Sequence, residues 1–174
     1  MTTSMNDPAR GSGAGERATV RFLLAHPAHL VAFGFGSGLA PKAPGTVGTL
    51  LGLPLFWLIE VAAPDRANQI TLLVAAFLVG VWACARTGRA LGVADYGGIV
   101  WDEIVAFALV LVFTPPGWLW IGVAFALFRL FDILKPWPIR SADARLKNGF
   151  GVMFDDLLAA LYAIAALKGL QWLV

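Results

Sequence analysis

An all-helical, polytopic membrane bundle is the fold class this chain predicts, and three observations carry it. Of its 174 residues, 59% are hydrophobic and only 14% charged, against about half and about a quarter in ordinary soluble domains. The apolar residues gather into five segments, 49–63, 69–85, 99–114, 118–134 and 157–174, each near the ~17–25 residues that cross a bilayer. Breakers separate them: Pro64, Gly97 with Gly98, Pro115 with Pro116, and Pro136 with Pro138. About four to five apolar helices follow from this pattern, in one domain. The composition excludes disorder, collagen and a disulfide scaffold. The single cysteine, Cys84, lies inside an apolar run, which excludes an intrachain disulfide and a Cys-rich zinc site. A net charge of +2 is too small and too scattered for nucleic-acid binding.

Taken in order, residues 1–26 read as a disordered tail and 27–174 as the helical domain. The stretch 1–21 is rich in Gly, Ser, Thr and Ala, carries Arg10, Arg17 and Arg21, and has no apolar core to bury. It lacks the apolar region and small-residue cleavage site of a secretory signal, so the tail is expected to be retained. Segment 49–63 is interrupted by Pro54 and Glu60 and reads either as a span or as a re-entrant or interfacial hairpin with 28–40. Segments 69–85 and 118–134 read as spans, 99–114 as a short one, and 157–174 as the last. No repeat recurs at a fixed period.

Basic residues accumulate on the cytoplasmic side of short loops. Here they fall in the tail and at Lys42, at Arg86 and Arg89, and at Lys135, Arg140, Arg145 and Lys147, whereas the alternate loops at 64–68 and 115–117 hold only Asp65 with Arg66, or no charge. If every segment spans, all the basic loops share one side, which places them in the cytoplasm. Most of the acids collect there too. Asp102 and Glu103 are expected to open the third helix, Asp132 to close the fourth, and Asp155 with Asp156 to open the fifth. An ionisable group at membrane depth is costly unless paired, hydrated or metal-bound, and so marks a working site. The plainer alternative is capping, since acids at helix N-termini satisfy orphan N–H groups and suit the dipole. Asp132 fits that alternative worst, because a C-terminal helix end disfavours an anion; Arg129 and Lys135, at i−3 and i+3, are its candidate partners.

The loop Gly34-Phe35-Gly36-Ser37-Gly38-Leu39-Ala40-Pro41-Lys42-Ala43-Pro44-Gly45-Thr46-Val47-Gly48-Thr49 matches neither a dinucleotide fingerprint nor a P-loop. Either its glycines free backbone N–H groups for an anion, with Lys42, Thr46 and Thr49 as side-chain donors, or it is only an unusual entry to a membrane hairpin. Carboxylates able to hold Mg²⁺, with cations and such a loop, suit phosphoryl transfer or phosphate-ester hydrolysis. No Cys-x5-Arg or aspartyl-nucleophile motif is present. His26 and His29 sit together before the loop and read as interfacial residues, and the seven Trp fit an interfacial belt.

The ordered set of Gly34–Pro41 and Pro44–Thr49, Ile99-Val100-Trp101-Asp102-Glu103, Phe128-Arg129-Leu130-Phe131-Asp132 with Lys135-Pro136-Trp137-Pro138-Ile139-Arg140, and Gly151-Val152-Met153-Phe154-Asp155-Asp156 resembles the phosphatidylglycerophosphatase A family from about residue 27 to 165. The resemblance implies an all-helical, Mg²⁺-dependent phosphatase of the bacterial inner membrane, its catalytic loops facing the cytoplasm. Its substrate would be the phospholipid phosphatidylglycerophosphate, a precursor on the route to cardiolipin, and its products phosphatidylglycerol and phosphate. On that basis Asp102, Glu103, Asp132, Asp155 and Asp156 are expected to be catalytic and to hold Mg²⁺. Asp95 is expected as an outer-shell group or general acid, and Lys42, Thr46, Thr49, Arg129, Lys135 and Arg140 as phosphate ligands. A transporter or ion-conducting protein with an acidic helical site is the alternative, although its acids would favour the midplane.

Overall fold

A computed structural model describes residues 18–173. The expectation for 1–17 lies outside the described residues, but 18–26 is not tail-like. Thr19 caps a short helix α1 (Val20–Leu24), Leu23 is buried in the core, and the Tyr96 hydroxyl accepts the Ala18 N–H at 3.1 Å. Helix α2 (Pro27–Ala32) and a 3₁₀ stretch at Gly34–Leu39 follow. Then come α3 (Pro44–Ala62), α4 (Arg66–Leu91), α5 (Trp101–Val112), α6 (Trp118–Leu134), α7 (Ile139–Arg145) and α8 (Gly149–Gln171). Among the described residues every regular element is helical.

Three helices, α3, α4 and α8, are long and apolar enough to cross a membrane. The first apolar segment is a single continuous helix with Pro54 inside it, not a hairpin with 28–40. The proline costs one backbone bond, since it has no N–H. Helix α5 has only 12 residues, or about 18 Å at 1.5 Å per residue. Ten of those residues are buried, so α5 is the enclosed central helix, and a helix walled by protein need not match the bilayer. It joins both apolar clusters, one with α2 and α4 and the other with α6 and α8. The last helix begins at Gly149, well before the expected 157.

Small residues set the helix spacing, as expected where lipid offers no competing hydrophobic drive. A Cβ on Gly52 would meet Phe107 Cδ1 at 2.9 Å, and one on Gly149 would meet the Val81 carbonyl oxygen at 2.5 Å. Asp65 caps α4 by accepting the Asn68 N–H at 2.9 Å, and that bond holds its carboxyl below the usual range. Gly92, at φ +70, closes the same helix in a left-handed turn that glycine enters freely. The Trp101 indole donates to the Ala76 carbonyl at 3.0 Å, tying the start of α5 to α4.

Gly149→Val is expected to push α8 off α4 and cost about 1–3 kcal/mol, the usual range for overpacking, read as a lower Tm in detergent. Gly122→Ala, where a Cβ meets nothing within 4 Å, is expected to leave Tm unchanged or higher.

Candidate active site

The alternating helices bring the start of α3, the end of α4, the start of α5, the end of α6 and the first turns of α8 to one end of the bundle. The glycine-rich loop is laid onto the approach to α5. The Val100 N–H donates to the Ala32 carbonyl at 2.9 Å, and a Cβ on Gly98 would lie 2.8 Å from the Gly38 carbonyl oxygen. Ser37 spends its hydroxyl on the Gly34 carbonyl at 2.9 Å. The loop ends at Ala43, whose left-handed φ of +45 starts α3, a strained conformation for a residue with a side chain.

Gly45 and Gly48 then face a carboxylate of the protein itself. A Cβ on Gly45 would run into Glu103 Oε1, and one on Gly48 would lie 2.9 Å from Glu103 Oε2. These glycines make room for Glu103, a use that the sequence pattern did not reveal. Glu103 Oε1 is 3.0 Å from an Arg129 guanidinium nitrogen, which also lies 2.7 Å from Asp132 Oδ2. The same nitrogen donates to Thr49 Oγ1 at 3.3 Å, while the Thr49 hydroxyl donates to the Gly45 carbonyl at 2.9 Å. Thr49 has no exposed surface, so it supports Arg129 from beneath.

The second cation comes from the end of α6. Lys135 sits at φ +42 with its N–H on the Phe131 carbonyl at 2.9 Å. Its ammonium reaches Asp155 Oδ2 at 2.5 Å and Asp143 Oδ2 at 3.5 Å. Burial works against that charge, but the hydrogen bond and charge of Asp155, with Asp143 and Asp156 behind it, hold Lys135 above the usual lysine range. Lys135 was a candidate partner for Asp132; Arg129 alone fills that role among the described residues.

Asp155 and Asp156 do not open α8. Asn148 is its cap, accepting the Gly151 N–H at 2.9 Å, and the two acids lie in the second turn, where capping gives no account of them. Asp102 Oδ1 does accept the Glu103 N–H at 3.0 Å, so one of its oxygens fits the capping alternative. Asp102, Asp155 and Asp156 are all buried. Asp156 lies in coulombic range of Asp102, Glu103, Asp132 and Asp155, and the exposed Asp95 in range of Asp102, Glu103 and Asp155. The six acids singled out in the sequence therefore converge. Arg129, Lys135 and Thr49 join them, whereas Lys42 and Arg140 are exposed and Thr46 is half-buried.

The acids outnumber the two cations, and Glu103 Oε2 and Asp156 Oδ2 are buried without a hydrogen-bond partner. A buried carboxylate oxygen is costly without a hydrogen-bond donor, a proton or a cation. The donors are all hard oxygens, as Mg²⁺ prefers, and the two orphan atoms fit such an ion. Among the described residues no three such side chains are yet gathered as a metal cluster; Arg129 and Lys135 hold Glu103, Asp132 and Asp155 instead.

Asp143 was missed as a site neighbour; its only sequence signal was Lys147 at i+4, 3.3 Å away. His29 is enclosed by the protein. It is buried, 2.9 Å from the Thr87 hydroxyl and stacked on Phe22 at 4.3 Å, and burial lowers its pKa.

Because the Lys135 pKa is raised on folding, its ion pairs stabilise the protein fully below the unfolded value of about 10.4 and are lost as pH rises through the folded one. Lys135→Met is therefore expected to lower Tm at pH 7, with the gap to wild type closing only above about pH 10.

The family model described as PgpA, phosphatidylglycerophosphatase A, matches residues 30–171. A phosphatidylglycerophosphatase A of Haemophilus influenzae is 49% identical over 156 residues, covering 86% of this chain and 91% of that protein. One from Escherichia coli is 38% identical over 151 residues, covering 86% and 87%. A Bacteroides thetaiotaomicron protein provisionally named phosphatidylinositol-3-phosphatase is 36% identical over 151 residues, covering 83% and 94%. No solved structure matches the chain. With its acids, its two cations and its glycine loop gathered at one end of a membrane bundle, the chain belongs to the phosphatidylglycerophosphatase A family.

Proposed function

We propose that this protein hydrolyses the terminal phosphomonoester of phosphatidylglycerophosphate, yielding phosphatidylglycerol and inorganic phosphate on the route to cardiolipin. The observation that carries the proposal is the gathering of buried and half-buried acids from α5, α6 and α8 with Arg129 and Lys135 at one end of an apolar helical bundle. A transporter's acids would be expected nearer the midplane. The basic loops support a cytoplasmic orientation of this end, by the positive-inside rule, at the inner membrane of a bacterium.

Asp102 and Asp156, with Glu103, Asp132 and Asp155 around them, would hold Mg²⁺. When bound, the ion supplies neutralisation of the phosphomonoester charge. Lys135 has three donors and Arg129 five, so each can keep its carboxylate partner and give a further hydrogen bond to a phosphate oxygen, strengthening as charge redistributes. Lys42 and Arg140, exposed at the same end, draw the anionic headgroup in. In the overall reaction, water oxygen bonds to phosphorus and the bond from phosphorus to the glycerol oxygen breaks. The leaving oxygen takes up a proton, for which the exposed Asp95 is the candidate donor, and the proton given up by the attacking water restores that donor. Burial of the acids at the membrane boundary excludes bulk water from the reacting phosphate.

The test is phosphate release from phosphatidylglycerophosphate in detergent micelles. Release with Mg²⁺, its loss in EDTA, and a fall of at least ~100-fold in folded Asp102→Asn and Asp156→Asn variants, the scale of losing a major electrostatic group, are expected. No release by folded wild type overturns the proposal. Equal release in EDTA overturns the metal, and equal release from phosphatidylinositol 3-phosphate overturns the headgroup.

A further inference from the structure

One cavity in the bundle runs from Asp102 along an apolar face of the helices. It has a volume of about 260 Å³ and lies between α4, α5 and α8. Its lining follows a single face of each helix: Ile70, Leu73, Val74 and Phe77 on α4, Asp102, Val105, Ala106 and Leu109 on α5, and Met153 with Leu157 on α8. The spacings of three, four and seven residues are those of helical stripes. Nine of these ten side chains are apolar, and the tenth is an acid of the site. Given the alternating direction of the helices, Phe77, Asp102 and Met153 mark the end at the acids, and Ile70 and Leu109 the end toward the start of α4. Seven residues along α4 or α5 span about 10 Å.

The groove is built by the contacts at its head. There α4 is held against its neighbours, with a Cβ on Gly80 lying 2.5 Å from Met153 Sδ and 2.7 Å from Trp101 Cδ1, and with the Trp101 indole bonded to the Ala76 carbonyl. Val74 is 52% exposed and Ile70 37%, so the groove opens sideways on a helix long enough to cross the membrane.

We propose that this groove holds one acyl chain of the lipid whose phosphate is turned over at the acids, an inference that rests on the function proposed above. A hydrocarbon chain with nothing polar at its head would leave Asp102 facing hydrocarbon, at the cost an acid meets at membrane depth. A lipid whose headgroup lies among the acids completes that end and fills the rest with its own tail. Binding energy from the remote chain then serves to place the phosphate.

Two measurements test this. Val74→Trp fills the groove from its exposed side, whereas Leu78→Trp, 62% exposed on α4 and outside the lining, adds the same bulk elsewhere. Val74→Trp is expected to lower kcat/KM on long-chain phosphatidylglycerophosphate at least ~10-fold, the scale of a hydrophobic-pocket mismatch, and to leave a water-soluble phosphomonoester lacking acyl chains unaffected. Leu78→Trp is expected to match wild type on both. Second, a non-hydrolysable phosphonate analogue of phosphatidylglycerophosphate carrying a diazirine along its acyl chain is expected to label 70–77, 105–109 or 153–157. Phosphatidylglycerophosphate is expected to compete that label away, and phosphatidylcholine not to. An active wild type with undiminished Val74→Trp turnover, or with label spread uncompeted over the bundle, overturns the groove alone. A folded wild type inactive on phosphatidylglycerophosphate overturns the function beneath it.

Discussion

The compensation of buried carboxylates by Arg129 and Lys135 is the interaction on which the rest of this structure depends. Burying an isolated ion costs several kcal/mol even after relaxation, and five acids meet at one end of the bundle. Arg129 bridges Glu103 on α5 and Asp132 on its own helix. Lys135 crosses from the end of α6 to Asp155 on α8. Each cation thus ties neighbouring helices together while reducing the repulsion that would part them. The compensation is incomplete, and Glu103 Oε2 and Asp156 Oδ2 are buried without a hydrogen-bond partner.

Backbone geometry delivers these groups. A left-handed residue at Lys135 ends α6 and turns its ammonium over α8, and another at Ala43 starts α3 so that Gly45 and Gly48 pass beside Glu103. Enclosure of α5 by its neighbours lets a short helix carry Asp102 and Glu103 among them. The same close packing at Gly80 and Trp101 holds α4 against α5 and α8 beside the head of the apolar groove, which reaches the acidic end at Asp102.

Much of this was legible in the sequence. Apolar segments and breakers gave the helical bundle, and the shared side of Asp102, Glu103, Asp132, Asp155 and Asp156 gave the end at which they meet. Arg129 was a candidate partner for Asp132 because i,i+3 spacing on a helix is local. Lys135 with Asp155, and Thr49 under Arg129, were not legible as contacts, because they join residues 20 and 80 positions apart. The start of α8 was misplaced because the continuous apolar run begins only after Asp155 and Asp156, whereas Asn148 caps a helix that starts at Gly149 and carries both acids. Segment 18–26 was assigned to the tail, yet Leu23 is buried in the core and Ala18 and Phe22 pack against it.

The central claim is that the unpartnered carboxylate oxygens await a divalent cation. The direct measurement is the Tm of purified protein in detergent as Mg²⁺ is added, for wild type and Asp156→Asn. Binding to the folded state alone raises stability by about 2.7 kcal/mol at 100 times Kd, so wild type is predicted to show a saturable rise in Tm that the variant loses. A wild type whose Tm ignores Mg²⁺, or a folded Asp156→Asn that responds as fully as wild type, would contradict the account.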